Sequence, residues 1–177
     1  MQVSIFWGRS RSLMRVDVLV FRGDALVSGD PYLSLGHVGV RFRPGGDVFG
    51  FGPTAAQSMS HGSCQGAHAP GAFSRHTPVF QRALSIGLPV VEVSTCCPSL
   101  AVVANRLRRL SGMGFALPGG AYRDSYRGVA TNCVGFLRLL GVVLPGSSLY
   151  VGEVVGSVRG ARWVRRLTEL NPVSAAI

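Results

Sequence analysis

The sequence predicts an α+β fold in which helices pack on a small antiparallel sheet. Residues 16–21 form a Val- and Leu-rich run typical of a strand. Two short segments rich in Val and Phe flank Gly45-Gly46, which indicates a β-hairpin over residues 36–52. After Pro98, apolar residues recur at helical spacing and stop near Gly112, which predicts a helix.

The remaining elements follow in chain order. Residues 53–88 are rich in Gly, Ser, Ala, His and Pro, and we expect a long functional loop there. Residues 88–95 predict another strand, and residues 132–140 predict a second helix that ends at Gly141. We expect short helices in the tail, over residues 147–170.

Length and composition indicate one compact domain over residues 1–177, with a core at about 16–145 and a helical tail at 147–177. The chain has 177 residues, 47% of them hydrophobic, and a mean hydropathy of +0.31. No apolar run reaches the length of about 20 residues that a membrane helix needs. The first residues lack the apolar core and cleavage site of a signal peptide, so none is expected.

The net charge is strongly positive, at +10. All 18 basic residues are arginine, and the chain contains no lysine. Two interpretations stay open: a surface biased by a GC-rich genome, or the exclusion of lysine because its amine is a target of modification. The arginines are scattered in ones and twos, without the aromatic-basic signature of RNA-binding domains. Nucleic acid is therefore not the expected partner, whereas an anionic surface is a candidate.

The four cysteines predict neither a disulfide framework nor a metal centre. Cys96 and Cys97 are adjacent, and the spacing to Cys64 and Cys133 fits no zinc motif. We therefore expect no metal and no cofactor.

Cys133 is the candidate nucleophile because it stands at the first turn of the second predicted helix. The positive end of the helix dipole favours a thiolate there, and Asn132 would cap the helix and fix its start. His37 opens a strand between Gly36 and Gly39, so its ring would be held rigidly enough to act as the base. A packing cysteine and a half-buried histidine are the structural alternatives.

The segments "GHVGVRF", "DVFGFGP" and "TNCVGFLRLLG" resemble the circularly permuted branch of the papain-like superfamily. This branch includes NlpC-type and lecithin–retinol acyltransferase-like enzymes, and the resemblance is nearest to bacterial proteins associated with toxins or secretion systems. It spans roughly residues 16–145. Phe49-Gly50-Phe51-Gly52-Pro53 departs from the family motif, which has Tyr at the position of the first Phe.

The resemblance implies a Cys–His enzyme that works through an acyl-enzyme. Cys133 would attack a carbonyl, His37 would move the proton, and backbone N–H groups at Asn132 and Cys133 would meet the oxyanion. The family also implies a polar residue that orients the imidazole. Gln57 is our choice; Thr54 and Asp47 are alternatives, and turn chemistry explains Asp47 better.

The leading function is hydrolysis of an amide bond in a peptide or peptidoglycan stem, carried out by a secreted effector or a cytoplasmic enzyme. Acyl transfer to a protein amine and glutamine deamidation use the same pair, and the missing lysine fits acyl transfer slightly better. A basic, non-catalytic binding module is the alternative from another class. The expected partners are a peptide or protein substrate, a host protein or an anionic surface.

Overall fold

The computed structural model describes residues 13–27, 29–54, 69–116, 130–157 and 162–164. The strands within these ranges are β1 (Leu13–Arg22), β2 (Gly36–Arg41), β3 (Phe49–Pro53), β4 (Ala69–Arg75), β5 (Val90–Pro98), β6 (Gly114–Phe115), β7 (Ala130–Thr131) and β8 (Arg162–Val164). The helices are α1 (Pro31–Leu35), α2 (Thr77–Ser85), α3 (Leu100–Arg109), α4 (Cys133–Leu140) and α5 (Val151–Ser157).

The strands form one sheet in the order β7-β6-β4-β3-β2-β1-β5-β8. All neighbouring pairs are antiparallel except β6 and β7, which are parallel. The α+β class is confirmed, and the sheet, with eight strands, is larger than the sequence indicated. None of the helices in the described ranges is long and apolar enough to cross a bilayer.

Side chains alternate along β1 and β2 and so build a separate core on each face of the sheet. Val18 and Val20 belong to a large core beneath α3, α4 and α5, together with Cys133. Leu19 and Phe21 belong to a second core, which α2 covers through Phe80. The first face is apolar, and the second also carries the buried polar side chains of β2.

The predicted hairpin over residues 36–52 is confirmed as β2, a turn and β3. Val40 pairs with Phe49, close to the turn. Between these two strands, as described, no residue of β3 pairs with the end of β2 that holds His37. The strands are therefore open to a third group where His37 stands.

The prediction of a long loop over residues 53–88 is wrong for the second half of that range. Residues 69–75 form β4, which pairs with β3 along its length and with β6 at Ala69 and Pro70. Partners distant in sequence hold this strand, because its Pro-Gly-rich composition has little strand preference. Helix α2 follows, with Pro78 in its first turn and Val79, Phe80 and Ala83 buried.

The predicted strand at 88–95 and the helices after Pro98 and at Asn132 are confirmed as β5, α3 and α4. Gly141 ends α4 in the left-handed conformation, with φ of 93°. The tail contains the short helix α5, as expected, but also β8, which pairs with β5 at the edge of the sheet. Sequence patterns did not indicate β8, which is only three residues long.

Candidate functional site

Asn132 caps α4 and fixes the position of Cys133, as predicted. Its backbone is extended, and its Oδ1 accepts a hydrogen bond from the Gly135 N–H at 2.9 Å. Its Nδ2 donates to the carbonyl of Leu149 at 2.7 Å. The amide of Asn132 is thus fully oriented, and Cys133 becomes the first helical residue.

The loop that accepts from Asn132 is itself held by α4. The guanidinium of Arg138 donates to the carbonyls of Gly146, Ser147 and Ser148 at 2.6–2.8 Å. One side chain on α4 therefore folds the 146–149 segment back over the start of its own helix.

The Cys133 sulfur lies in a nest of backbone donors at the junction of α4 and β2. The N–H groups of Val38, Cys133 and Val134 point at the sulfur and lower the thiol pKa. Burial has the larger effect: Cys133 is 4% exposed, and the pKa of its thiol rises to about 11.

The expectation that the helix start would favour a resting thiolate is therefore wrong for the structure described. The donors at the helix start do favour the anion, but they do not offset the loss of water around the sulfur. At neutral pH the group is therefore a thiol.

The backbone of β2 approaches this sulfur at the residue after His37. The N–H that reaches Cys133 belongs to Val38, so the sulfur lies against the peptide unit that follows His37. His37 is 1% exposed, and burial, with His76 beside it, holds its pKa well below its usual value. Among the described residues, no hydrogen bond joins Cys133 to either imidazole. Cys133 packs in the core that contains Val38, whereas the His37 ring lies on the other face of β2, against His76 and Phe80.

His76 is the polar side chain that the structure places against His37, whereas Gln57, the choice made from the sequence, lies outside the described residues. Nδ1 of His76 lies 2.7 Å from Nε2 of His37, and their ring centroids are 4.8 Å apart. His76 is also buried, which lowers its pKa to about 4. Both imidazoles are therefore neutral at physiological pH.

Sequence reasoning missed His76 because it assigned this histidine to the long loop. The usable signal was Thr77-Pro78: proline in a first helical turn predicts that α2 begins there. A histidine immediately before a helix has a fixed backbone, and the side chain of His76 makes no capping bond. It is thus free to turn toward β2.

Asp47 holds His76 in place from the hairpin turn instead of orienting His37. Its carboxylate accepts from Arg75 at 2.7 Å and from the Thr77 hydroxyl at 2.9 Å, and these bonds lower its pKa. The Val48 N–H donates to Thr77, and the Val48 carbonyl accepts from the His76 N–H at 2.7 Å. Asp47 therefore bonds across to Arg75 and to the start of α2, and these bonds are not the local turn chemistry that the sequence favoured.

Two glycines of β3 make room for this site. An added Cβ at Gly50 would lie 2.6 Å from both Nε2 of His37 and Nδ1 of His76. At Gly52 it would lie 2.1 Å from the hydroxyl oxygen of Tyr32. The "FGFGP" segment therefore alternates phenylalanines with positions where any side chain would displace the polar rings.

Tyr32, which the sequence did not single out, packs on both imidazoles. Its ring meets His37 and His76 edge-on, with centroids 4.8 and 5.3 Å apart. Burial, with smaller contributions from the charges of Cys133 and Asp30, raises the pKa of Tyr32 to about 12. Tyr32, His37 and His76 thus form one cluster of rings from α1, β2 and the cap of α2.

The other predicted positions lie elsewhere. Thr54 bonds through its N–H and its hydroxyl to the carbonyl of Pro70, at 2.9 and 3.3 Å. It therefore belongs to the β3–β4 pairing, which argues against it as the orienting residue. Gln57 lies outside the described residues.

The described part of the chain contains no group of three or more His, Cys, Asp or Glu side chains able to hold a metal ion. The 2.7 Å hydrogen bond between the two imidazoles also leaves no room for a metal between those nitrogens. Comparisons of the chain with protein-family models, curated proteins and solved structures find no match. The interpretation of this site therefore rests on its chemistry.

Proposed function

We propose that this protein is a thiol enzyme that forms an acyl-enzyme on Cys133, with His37 as its base and His76 as the orienting residue. One observation carries the proposal. The candidate thiol contacts the peptide unit after His37, and Nε2 of that imidazole lies 2.7 Å from Nδ1 of His76. A cysteine, a base and a group that orients the base are the parts that this chemistry requires.

The hydrogen bond between the histidines assigns the proton-transfer atoms. Nε2 of His37 is engaged by His76, which leaves Nδ1 of His37 as the nitrogen for the thiol proton. Nδ1 accepts only if the His37 proton sits on Nε2, so His37 donates and Nδ1 of His76 accepts. His76 would then stabilise the imidazolium that forms when Cys133 attacks.

The resting pair in this proposal is a neutral thiol and a neutral imidazole. The raised thiol pKa and the lowered imidazole pKa both oppose an ion pair before substrate binds. Proton transfer would accompany attack on the carbonyl, and the imidazolium would then protonate the leaving amine.

Hydrolysis of an amide, in a peptide or peptidoglycan stem, remains the leading reaction. Acyl transfer and glutamine deamidation share the first half-reaction and differ in the acceptor or in the amide that is attacked. Product analysis with a peptide donor, with and without an added amine, separates them: water yields the acid, and transfer yields the amide of the added amine. Ammonia release from a glutamine peptide would indicate deamidation.

The experiment that tests the proposal uses p-nitrophenyl acetate as an acyl donor for the full chain. Intact mass spectrometry and peptide mapping follow acetylation at each cysteine. We expect Cys133 to be acetylated first and the wild-type burst to vanish in Cys133→Ala. His37→Gln should slow acetylation by about 100-fold or more, the usual contribution of a general base.

Cys96→Ala is the matched control, because Cys96 is a free, half-buried cysteine outside the cluster. It should leave the burst unchanged. Acetylation of Cys96 and Cys97 as fast as that of Cys133, or a rate indifferent to His37→Gln, would instead favour the non-catalytic binding module.

A further inference from the structure

The hydrogen bonds between β3 and β4 define which backbone groups of β4 point away from β3. At one end, the Thr54 N–H donates to the carbonyl of Pro70 at 2.9 Å. At the other end, the His76 N–H donates to the carbonyl of Val48 at 2.7 Å. Both bonds continue the register in which β3 and β4 pair, and bonded and non-bonded pairs alternate along an antiparallel ladder. The even-numbered residues of β4 therefore bond to β3.

The odd-numbered residues of β4 turn their N–H and C=O groups to the opposite edge of the strand. Gly71 is covered there, since an added Cβ would lie 2.8 Å from the carbonyl oxygen of Met113, just before β6. As described, β6 pairs with β4 only before Gly71. Within the described ranges, no backbone group bonds to the outward side of Phe73 or Arg75. These two positions thus offer two donors and two acceptors to an added strand.

The side chains at these two positions share one face of the sheet and differ in chemistry. Phe73 is half-buried and stacks on Phe136 of α4 and on Phe49, with centroids 5.6 and 6.0 Å apart. Arg75 is 56% exposed and donates through Nε to Asp47 at 2.7 Å. Among the described groups, none accepts from its two terminal nitrogens. An aromatic surface and a cation with free donors therefore lie two residues apart.

We propose that the outward edge of β4 at Phe73 and Arg75 binds an extended peptide as an added antiparallel strand. A peptide backbone complements donors and acceptors at this spacing. The peptide residue opposite Phe73 lies on the same face, where an aromatic side chain extends the stack. Two positions earlier in the peptide, an acidic side chain lies opposite Arg75 and accepts from its free donors. The net charge of +10 favours the same acidic partner.

A capped peptide, acetyl-Thr-Glu-Thr-Phe-Thr-amide, is the probe, titrated into the full chain and followed by NMR. Its Phe N–H would donate to the Phe73 carbonyl, and N-methylation there also places a methyl group against β4. We expect that change to raise the Kd by at least about tenfold. N-methylation of the central Thr is the matched control. Its N–H points to solvent in the added strand, so the Kd should change by less than about threefold.

Amide hydrogen exchange locates the bound peptide. In the free protein, the amides of Phe73 and Arg75 should exchange faster than those of Ala72 and Ser74, which bond to β3. Saturating peptide should slow exchange at the two outward amides and leave the other two unchanged.

Two arginine variants test the acidic position of the peptide. Arg75→Met should weaken binding of the Glu peptide by about threefold and leave binding of its Gln analogue unchanged, as expected for a partly exposed ion pair. Arg108→Met removes the same charge from an exposed position on α3 and is the matched control. It should bind both peptides as the wild type does.

Equal binding of the two N-methylated peptides, or no binding of the parent peptide, would overturn the proposal. Slow exchange of Phe73 and Arg75 in the free protein would do so as well. If that protection is independent of protein concentration, another segment of the chain occupies the edge; if it grows with concentration, a second copy does.

The proposal goes beyond the acyl-enzyme, because binding at β4 is measured without turnover. If Cys133 is never acetylated, the proposed function fails while peptide binding and its exchange pattern stay as expected. If acetylation of Cys133 by p-nitrophenyl acetate proceeds and no peptide binds, only the role of the β4 edge is refuted.

Discussion

The two ends of β2 bury two polar side chains on the same face of the sheet in opposite electrostatic states. His37, opposite Phe21, is 1% exposed, and Arg41, opposite Asp17, is 3% exposed. The imidazole is neutral and bonds to a second neutral imidazole. The guanidinium instead pairs with two carboxylates, Glu92 at 2.8 Å and Asp17 at 3.5 Å.

An apolar partition separates the two ends. Gly39 lies between them, and a Cβ there would meet Val48 at 2.6 Å and Phe80 at 2.9 Å. The comparison teaches how one strand serves two purposes. A permanently charged group needs fixed counter-charges and so becomes structural, whereas a neutral pair with a movable proton can take part in chemistry.

The largest effect on stability is expected at the charged end. Arg41→Met removes the guanidinium from two largely buried carboxylates and should lower the free energy of unfolding by about 3 kcal/mol, measured by urea denaturation. The acetylation rate of the folded protein should stay within about threefold of wild type, because the sites do not share partners.

Arg82→Met provides the matched control, since Arg82 is 58% exposed in its pair with Asp30. Arg82→Met should lower the free energy of unfolding by less than about 1 kcal/mol. If Arg41→Met instead loses more acetylation than its loss of folded protein explains, that result would contradict the assignment of a purely structural role to the Arg41 end of β2.

Lowering the pH should reduce the free energy of unfolding, because His76, beside the His37 end of β2, is buried as a neutral imidazole. His76 has a folded pKa of about 4 against 6.5 in the unfolded chain, so the unfolded chain binds more protons between those values. Stability is full above pH 6.5 and falls as the pH drops toward 4, by about 3 kcal/mol for His76 alone. Urea denaturation across this range measures the fall.

The difference between wild type and His76→Gln isolates this contribution from that of the carboxylates. The variant should lose less stability between those pH values, while its acetylation slows as the His37 tautomer loses its partner. Parallel pH dependences in the two proteins would mean that His76 is already solvated in the folded state.

Gly50→Ala should give the smallest effect and the sharpest test of geometry. The added methyl group enters between the two imidazoles, 2.6 Å from each bonded nitrogen, so it lengthens or breaks their hydrogen bond. We expect acetylation of Cys133 to slow by about fivefold, since a neutral hydrogen bond contributes about 1 kcal/mol. Gly156→Ala, whose Cβ meets nothing within 4 Å, is the control and should react as the wild type does.

Local patterns predicted the elements that carry their own signal. The β2–β3 turn, the helix after Pro98 and the start of α4 at Asn132 are defined by glycine, proline and a capping side chain, and all three are observed. The predictions failed for strands whose hydrogen-bonding partners are distant in the sequence. Strand β4 contains Pro70 and Gly71 and is held by β3 and β6, while β8 exists only as an added edge on β5.

The sequence alone determined the α+β class, the cap that sets Cys133 at a helix start, and the rigid strand that carries His37, because each depends on neighbours along the chain. Only the tertiary structure decided that His76 bonds to His37, that Tyr32 packs on both rings and that the thiol is protonated at rest. Those properties depend on burial and on contacts between β2, β3, α1 and the ends of α2 and α4. Desolvation reverses the charge preference that a helix start confers, and no pattern in the sequence measures how much water the folded chain excludes.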